Sequence, residues 1–372
     1  MCSGARGLLA VNLSPACCSF LEQELKAFRV IIKLQEGKKD VEKTITLAHG
    51  SGGEAYRELV KEVFLPAFSN DILRPLTDSA ICAAGEKIAM TTDSYVIKPL
   101  FFPGGDIGRL CVSGTVNDLA VSGACPKYLS VGMIIEAGFE METLKRIVKS
   151  IAMTAKEAGV AIVTGDTKVV EGGSADGIFI NTAGIGVFTK DRQPLPQKIV
   201  PGDKIIISGC MASHGMAIMA ARQNMGFTPP IESDVAPIAS LVDSVMQNGC
   251  KVNAMRDPTR GGVAATLCEW VTPDTDIAIY DSMLPVRPDV SAACEILGMD
   301  PLYIANEGIM LMSVTAGYSE KALTSLRSEK LGKNAAIIGE VKAGSGNVYT
   351  VTDYGTKRKI IMPQGEILPR IC

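Results

Sequence analysis

The chain has 372 residues, a length that can form two domains of ordinary size with separate cores. Its formal charge of −3 disfavours nucleic acid or an anionic membrane as the main partner, and residues 205–221, its most membrane-like run, are too polar and slightly too short to cross a bilayer. Eleven cysteines without a CxxC pair, together with only two histidines, argue against structural zinc and favour the reduced thiols of a cytoplasmic protein.

Residues 1–43 differ from the rest of the chain, because they carry Cys2, Cys17 and Cys18 and then a charged stretch at 35–43. We predict an appended, loosely ordered extension that is partly helical at 20–33. A first domain is predicted over residues 44–190. Its expected helices lie at 54–68 and 141–158, and its expected strands lie at 87–92, 128–135, 160–164 and 177–187.

Prolines at 194, 196 and 201 mark residues 190–202 as the inter-domain connection. A second domain is predicted over residues 203–360, where strands and helices again alternate. Expected strands lie at 204–208, 251–255, 276–280, 310–314, 335–341 and 348–352, and expected helices lie at 215–224, 235–247, 260–270 and near 290 and 319. Residues 361–372 are predicted to form a mobile tail.

That tail ends in Pro369, Arg370, Ile371 and Cys372, which leaves a thiol beside the terminal carboxylate. A thiol on a short tail can enter a cleft and return, and a thiolate can carry an acyl group on sulfur. A chance terminal cysteine is the alternative interpretation. The rest of the sequence favours a carrier, because it contains groups suited to activating a carbonyl oxygen with ATP.

A glycine-rich turn, with Ser51, Gly52 and Gly53 after His49, precedes the helix predicted from residue 54. Backbone N–H groups of such a turn approach phosphate closely, and the helix dipole favours an anion there. An ordinary turn is the alternative.

Four aspartates stand among small residues at the ends of predicted strands or turns: Asp78, Asp93, Asp118 and Asp166. Each alone is typical of a cap or turn residue. As a set they predict a site for Mg²⁺, which prefers carboxylate oxygens and keeps waters and phosphates as its other ligands.

From residue 49 to the end, these motifs resemble the superfamily of aminoimidazole ribonucleotide (AIR) synthetase, selenophosphate synthetase and thiamine monophosphate kinase, and within it the HypE family of hydrogenase maturation factors. The terminal PRIC sequence selects that family. The matching segments are HGSGG at 49–53, FPGGDIG at 102–108, GTVNDLA at 114–120, GDTKVV at 165–170, RDPTRGG at 256–262, NEG at 306–308 and PRIC at 369–372.

The resemblance implies an α+β, two-domain AIR synthetase-like (PurM-like) fold, in which the N-terminal sheet pairs into a dimeric β-barrel and the C-terminal domain is an α/β sandwich. It implies a cytoplasmic homodimer that uses ATP and Mg²⁺ to dehydrate a carbamoyl group on its own terminal cysteine to a thiocyanate. The cyanide then supplies the iron of [NiFe]-hydrogenase. The implied partners are the carbamoyltransferase HypF as donor and a HypC–HypD complex as acceptor.

The same resemblance implies the roles of individual residues. The implied catalytic residues are Cys372, Lys168, Glu171 and Glu307; the nucleotide-binding residues are Ser51, Gly52, Gly53, Asp78, Asn117 and Thr167; and the metal ligands are Asp78, Asp93, Asp118 and Asp166. The residue chemistry supports these roles, because dehydrating an amide needs a phosphorylated oxygen as leaving group and a base for the amide protons. A turn carboxylate at Glu307 and a solvated ion pair at Lys168 are the alternatives.

Several features of the sequence leave alternatives open. Ala137 stands where the family is expected to have a second glutamate, and residues 1–45 have no expected counterpart. Asp257 or Thr259, beside two arginines, suits helix capping as well as phosphate or tail binding. His214 suits a satisfied loop histidine as well as a site residue.

Two other functions compete with the carrier enzyme. A small-molecule synthetase of the selenophosphate type would require a reactive cysteine close to the glycine-rich turn, and Cys17 and Cys18 lie about thirty residues too early. A non-catalytic cyanide carrier would bind nucleotide only to order its tail. ATP hydrolysis that depends on carbamoylation of Cys372 would distinguish an enzyme from such a carrier.

Overall fold

The computed structural model describes residues 44–50, 54–74, 84–190, 192–363 and 371–372. The chain separates into Met1–Lys43 and Thr44–Cys372, and the described residues belong to the second unit. The predicted extension lies outside the described residues, as do Ser51, Gly52, Gly53 and Asp78. Within the described part, no helix is long and apolar enough to cross a membrane.

The first half contains a short hairpin and a four-stranded sheet. The hairpin pairs β2 (Phe101–Phe102) with β3 (Gly105–Asp106), and the sheet strands are β1 (Ile88–Tyr95), β4 (Cys125–Glu136), β5 (Ala161–Val170) and β6 (Ile178–Val187). The sheet order is β1-β6-β4-β5, with β5 parallel to β4 and the other pairs antiparallel. The four predicted strands are therefore confirmed, although β1, β4 and β5 extend further than expected.

Helices cover one face of this sheet. They are α1 (Glu54–Leu59), a π-helical segment (Val60–Phe64), α2 (Leu65–Phe68), α3 (Ile107–Val121) and α4 (Met141–Ala158). The helix predicted at 141–158 is confirmed with the same bounds. Its apolar residues repeat at helical spacing and are buried on one side, which made the helix recognisable from the sequence. It ends at Gly159, whose φ of 69° suits the left-handed cap.

Helix α3 was not predicted as a helix, and it lies at the centre of the molecule. Thirteen of its fifteen residues are buried, so its sequence has no polar face to reveal a helical period. Asp106 caps its first turn by accepting from the N–H groups of Gly108 and Arg109 at 2.7 and 3.1 Å. The helix packs on the four-stranded sheet, on α4 and on elements of the second half.

The second half is a seven-stranded sheet between helices. Its strands are β7 (Lys204–Ile207), β8 (Val252–Arg256), β9 (Thr275–Tyr280), β10 (Leu311–Val314), β11 (Ala336–Ala343), β12 (Val348–Val351) and β13 (Lys357–Ile360), in the order β13-β12-β9-β11-β7-β10-β8. The principal helices are α5 (Ser213–Arg222), α6 (Ala239–Gln247), α7 (Gly262–Trp270), α8 (Pro288–Leu297) and α9 (Ser319–Ser328). The predicted alternation of strands and helices is confirmed here.

Strand alternation divides the apolar residues of this sheet between two cores. Ile206 and Met312 join a core that continues into the first half, whereas Ile205 and Ile207 join a second core with α7. Both faces of the sheet are therefore buried, which explains the uninterrupted apolar run of β7.

Asn117 connects α3 to the second half through its side-chain amide. Its Nδ2 donates to the carbonyl oxygens of Ala236 and Glu307 at 3.1 and 3.2 Å, and its Oδ1 accepts from the N–H of Ile238 at 2.8 Å. The side chain is 1% exposed. The Glu307 carbonyl oxygen also accepts from the Ala236 N–H at 3.3 Å, whereas the Ala236 carbonyl and the Ile238 N–H receive their bonds from Asn117.

Replacing Asn117 with alanine should lower the free energy of unfolding by about 2–4 kcal/mol, because the Ala236 carbonyl and the Ile238 N–H lose their buried partner together and the Glu307 carbonyl loses one of its two bonds. Asn248→Ala is the matched control, since the exposed Asn248 amide donates only to the Ser244 carbonyl within the same helix end. Urea unfolding followed by circular dichroism measures both variants. Equal midpoints for the two would contradict the bridging role.

Candidate active site

A cleft of about 480 Å³ lies where the two halves of the described chain meet. Strand β1 and helix α3 contribute one wall, and the segment after β8 contributes the other. The charged residues and the thiol that line it are Asp93, Asp118, Arg256, Asp257, Arg260, Glu307 and Cys372. Carboxylates, guanidinium groups and a thiol are therefore gathered in one cavity.

The end of the chain is docked in this cleft. The N–H of Val96, just after β1, donates to the Cys372 carbonyl oxygen at 3.3 Å, and His214 Nε2 lies 2.7 Å from the Ile371 carbonyl oxygen. Ile371 is 5% exposed and packs into the core, whereas Cys372 is half-buried beside it. Main-chain and apolar contacts thus place the thiol among the charged groups.

Five carboxyl groups lie close together in and around the cleft. Burial, with Asp118 and Asp93 nearby, raises the pKa of Asp257 to about 7. Burial, with Asp257, Asp234, Asp93 and Asp118 nearby, raises the pKa of Glu307 well above its ordinary value. Burial also raises the pKa of Asp118, although its Oδ2 accepts from Thr91 Oγ1 at 2.9 Å. The ionised forms of these carboxyl groups are therefore disfavoured in the cleft, and a bound cation would stabilise them.

Two arginines oppose these carboxylates. Arg256 and Arg260 act against the upward shift of the Asp118 pKa. Arg256 also pairs with Glu269 at 3.0 Å, with both side chains about half exposed. Guanidinium groups at such a position suit phosphate oxygens or a terminal carboxylate. Helix capping by Asp257 or Thr259 is wrong, because α7 begins after Gly261 and no side chain caps it.

The loop that carries Glu307 is held by its neighbours in the NEG motif. The Asn306 amide accepts from Ala212 N–H at 2.7 Å and donates to two carbonyl oxygens. Buried Asp234 Oδ2 accepts from the N–H groups of Glu307 and Gly308 at 3.0 and 2.8 Å, and burial raises the pKa of Asp234 to about 6. A Cβ at Gly308 would lie 1.7 Å from the Asp234 carbonyl oxygen, so glycine is required there.

Of the predicted residues, Asp93, Asp118, Glu307 and Cys372 lie in this cleft. Asp166, Lys168 and Glu171 do not. Asp166 and Lys168 lie on edge strand β5, about two-thirds exposed and 3.7 Å apart, three strands away from β1. Alternation places Asp93 on the sheet face covered by α3 and places Asp166 on the open face. The predicted set of metal ligands therefore does not converge within the described part of one chain, where no group of three or more such residues is suited to hold a metal.

Two predicted nucleotide-binding residues have other surroundings. The Asn117 side chain is engaged in the bridge between the halves and lies outside the cleft lining, and its contact with nucleotide stays a prediction. Thr167 is buried on β5 and lines a different, mainly apolar pocket with Tyr56 and Phe64. Sequence reasoning missed Asp234, for which the sequence offers no signal. It considered Asp257 only as a cap or phosphate group, although an aspartate directly after an apolar strand was the available signal.

Comparisons with known proteins identify the family of this chain. Residues 76–188 match the family described as AIR synthase related protein, N-terminal domain, and residues 200–352 match its C-terminal domain. A carbamoyl dehydratase HypE from Rhizobium leguminosarum bv. viciae is 46% identical over 348 residues, which cover 92% of this chain and 99% of that protein. The chain belongs to the HypE family.

Solved HypE structures are similar to most of this chain. The crystal structure of a hydrogenase maturation protein HypE in complex with ATP superposes with a TM-score of 0.84 at 43% identity, covering 88% of this chain and all of that one. A HypE–HypF complex superposes with a TM-score of 0.72 at 49% identity, covering 82% of this chain and 99% of that chain. The two-domain AIR synthase-like fold expected from the sequence is therefore confirmed.

Thermal stability should decrease as the pH rises from about 4 to about 7. Folded Asp257 keeps its proton up to about pH 7, while an unfolded aspartate loses it near about pH 4, so the stabilisation present at low pH is lost through this interval. Asp257→Asn should flatten the decrease. Asp353→Asn, at an exposed turn, is the control. Scanning calorimetry that finds equal pH slopes for Asp257→Asn and wild type would contradict the assignment.

Proposed function

We propose that this protein uses ATP to dehydrate a carbamoyl group carried on its own Cys372, giving the S-cyano form. The observation that supports this most directly is the docking of Cys372 in a cleft lined by carboxylates and arginines. A 46% identical relative bears the name carbamoyl dehydratase, and a similar HypE binds ATP. The S-cyano group is then available for the iron of [NiFe]-hydrogenase.

The chemistry balances without an added redox partner. Transfer of the γ-phosphoryl group of ATP to the carbamoyl oxygen releases ADP and makes that oxygen a leaving group. Removal of the two amide protons forms the second and third carbon–nitrogen bonds while the carbon–oxygen bond breaks and phosphate departs. The sulfur–carbon bond is retained throughout, so the product stays on Cys372.

Glu307 is the leading base within a single chain, because it lines the same cleft as Cys372. A buried carboxyl group with a raised pKa is a stronger base once ionised than an exposed one. Lys168 and Glu171 lie on the exposed side of β5 or just after it. They could act only at a cleft to which a second protomer brings them.

Mg²⁺ fits the cleft through Asp93 and Asp118, which lie close together there with Arg256 and Arg260 nearby. Two carboxylates suffice for this ion, because it usually keeps several waters and binds phosphate oxygens. When bound, it would neutralise phosphate charge. Arg256 and Arg260 would orient the same phosphates. Asp78 and the glycine-rich turn remain proposals outside the described residues, whereas Asp166 would require a second protomer.

The same reaction requires a carbamoyl donor and a cyanide acceptor. A HypE is known in complex with HypF, and we propose an equivalent carbamoyltransferase as the donor to Cys372. A HypC–HypD complex is the proposed acceptor of the cyanide. Dependence on ATP and on a reduced terminal thiol favours a cytoplasmic location.

Intact mass spectrometry after incubation with the carbamoyltransferase, carbamoyl phosphate and ATP tests the reaction. Wild type should gain ~43 Da for the carbamoyl group and then lose ~18 Da for water. Cys372→Ala should gain nothing while still binding ATP. Glu307→Gln should stop at the carbamoyl form, because it lacks the group that removes the amide protons.

Glu320→Gln, an exposed glutamate in α9, is the matched control and should proceed to the S-cyano form. Lys168→Ala should likewise stop at the carbamoyl form if Lys168 acts in proton removal. Its control, Lys149→Ala at an exposed position of α4, should proceed to the S-cyano form. A base variant that reaches the S-cyano form at near wild-type rate would remove that residue from catalysis. Carbamoyl transfer to Cys372→Ala would remove the terminal cysteine from the reaction.

We also propose a homodimer formed through the open face of the four-stranded sheet. Helices cover the opposite face, whereas the open face exposes Ile88 by 48%, Met90 by 71% and Ile134 by 44%. An apolar sheet face of this kind is stabilised by a covering partner. A dimer through this face would bury Asp166 and Lys168 at or beside the interface.

Ile134→Glu should convert the dimer to a monomer, because it places a charge in the centre of the proposed interface. The single chain should stay folded, since that side chain is already exposed in it. Met153→Glu, at a 64% exposed position on α4, is the control and should leave the dimer intact. Sedimentation equilibrium at micromolar concentration distinguishes the two. A monomeric wild type, or a dimeric Ile134→Glu variant, would contradict this interface.

A further inference from the structure

His214 contacts the docked end of the chain from inside the second half. Its Nε2 lies 2.7 Å from the Ile371 carbonyl oxygen, and its Nδ1 lies 2.8 Å from Ser233 Oγ. The ring is fully buried at the start of α5. One ring nitrogen of this buried histidine therefore contacts the penultimate residue of the chain. Neither the packing of the fold nor the lining of the cleft accounts for this contact.

The partners of the ring determine which nitrogen carries the proton. A carbonyl oxygen only accepts, so Nε2 must be the donor to Ile371. Ser233 Oγ accepts from Val235 N–H at 3.1 Å and is therefore free to donate its own proton to Nδ1. The donors run in one direction from Val235 through Ser233 and His214 to the tail. Burial lowers the pKa of His214 to about 4, which keeps this neutral form at ordinary pH.

The ring is also fixed in place by packing and by its turn. Phe102 approaches it edge-on, with centroids 5.6 Å apart and planes at 84°. Two residues earlier, Ala212 adopts a φ of 70°, a left-handed conformation that is uncommon for alanine. The Asn306 amide holds that turn by accepting from Ala212 N–H at 2.7 Å. Asn306, which precedes Glu307, therefore also helps to position His214.

We propose that His214 is a positioning residue that holds the terminal segment in the cleft through its Nε2–H hydrogen bond to the Ile371 carbonyl. The contact is to main chain, one residue before the sulfur, so it does not depend on what Cys372 carries. The same hydrogen bond serves the thiol, carbamoyl and S-cyano forms. Its importance for dehydration rests on the proposed function, whereas its importance for docking does not.

Carboxypeptidase digestion measures docking without any catalytic reaction. The protease requires an extended chain end, so its rate of removing Cys372 and Ile371 reflects the population of released tail when docking is fast. The intact full-length protein is digested without nucleotide, and loss of the two residues is monitored by mass spectrometry. His214→Leu should increase the rate by about tenfold, the effect expected for loss of one buried hydrogen bond.

Ser313→Ala is the matched control for general destabilisation. Ser313 is fully buried and donates to Asp203 Oδ2 at 2.7 Å, so its loss also removes one buried hydrogen bond, but at a site that does not contact the tail. This variant should leave the digestion rate within about twofold of wild type. His214→Gln keeps an N–H donor and should recover part of the protection. Ile371→Ala should also release the tail, because it removes the apolar anchor.

Equal digestion rates for His214→Leu, Ser313→Ala and wild type would overturn the proposal, and so would a His214→Gln variant as unprotected as His214→Leu. In the mass assay for dehydration, His214→Leu should still accept the carbamoyl group but lose water more slowly. The digestion assay can give the expected rates while neither wild type nor any variant dehydrates the carbamoyl group. In that case the proposed function fails and the docking role of His214 stands. If dehydration occurs but the tail is equally protected in all variants, the docking role fails alone.

Discussion

The cleft depends on the Asn117 amide, which fixes helix α3 against the second half. One side of that helix supports β1 and Asp93, while the residue after Asn117 is Asp118 itself. The Asn117 Nδ2 atom also holds the Glu307 carbonyl oxygen. The Asn117 side chain therefore helps to fix the positions of Asp93, Asp118 and Glu307 relative to one another. Motion between the halves would alter their mutual repulsion directly.

That repulsion is tolerated because folding supplies compensation elsewhere. Both faces of the seven-stranded sheet are buried, and a continuous core joins the two halves. The resulting stability allows a group of carboxyl groups with raised pKa values to persist in the cleft without an equal number of positive charges. In the proposed function a metal-bound polyphosphate occupies this cleft, and its cation would stabilise the ionised form of these carboxyl groups.

The sequence predicted elements best where burial is one-sided. Helix α4 was recognised because Leu144, Ile147 and Ile151 recur on one side. Helix α3 was not recognised from the sequence, because it is buried on almost all sides and shows no alternation of polar and apolar faces. Single aspartates could be identified from sequence, but their grouping could not: whether Asp166 joins Asp93 depends on strand order and on which sheet face each residue occupies. For Asn117, nothing local distinguishes an amide that binds a ligand from one that satisfies distant main-chain groups.

In the proposed function the substrate is attached to Cys372, and this attachment changes what saturation means for the protein. A substrate attached to the enzyme is present at a fixed effective concentration, so a docking equilibrium replaces a Michaelis constant. Occupancy of the cleft then does not vary with protein concentration, and each polypeptide presents one reacting group per loading. Tight docking would slow delivery to the next protein. A terminal segment held by two main-chain hydrogen bonds and one isoleucine is therefore a compromise between residence in the cleft and departure from it.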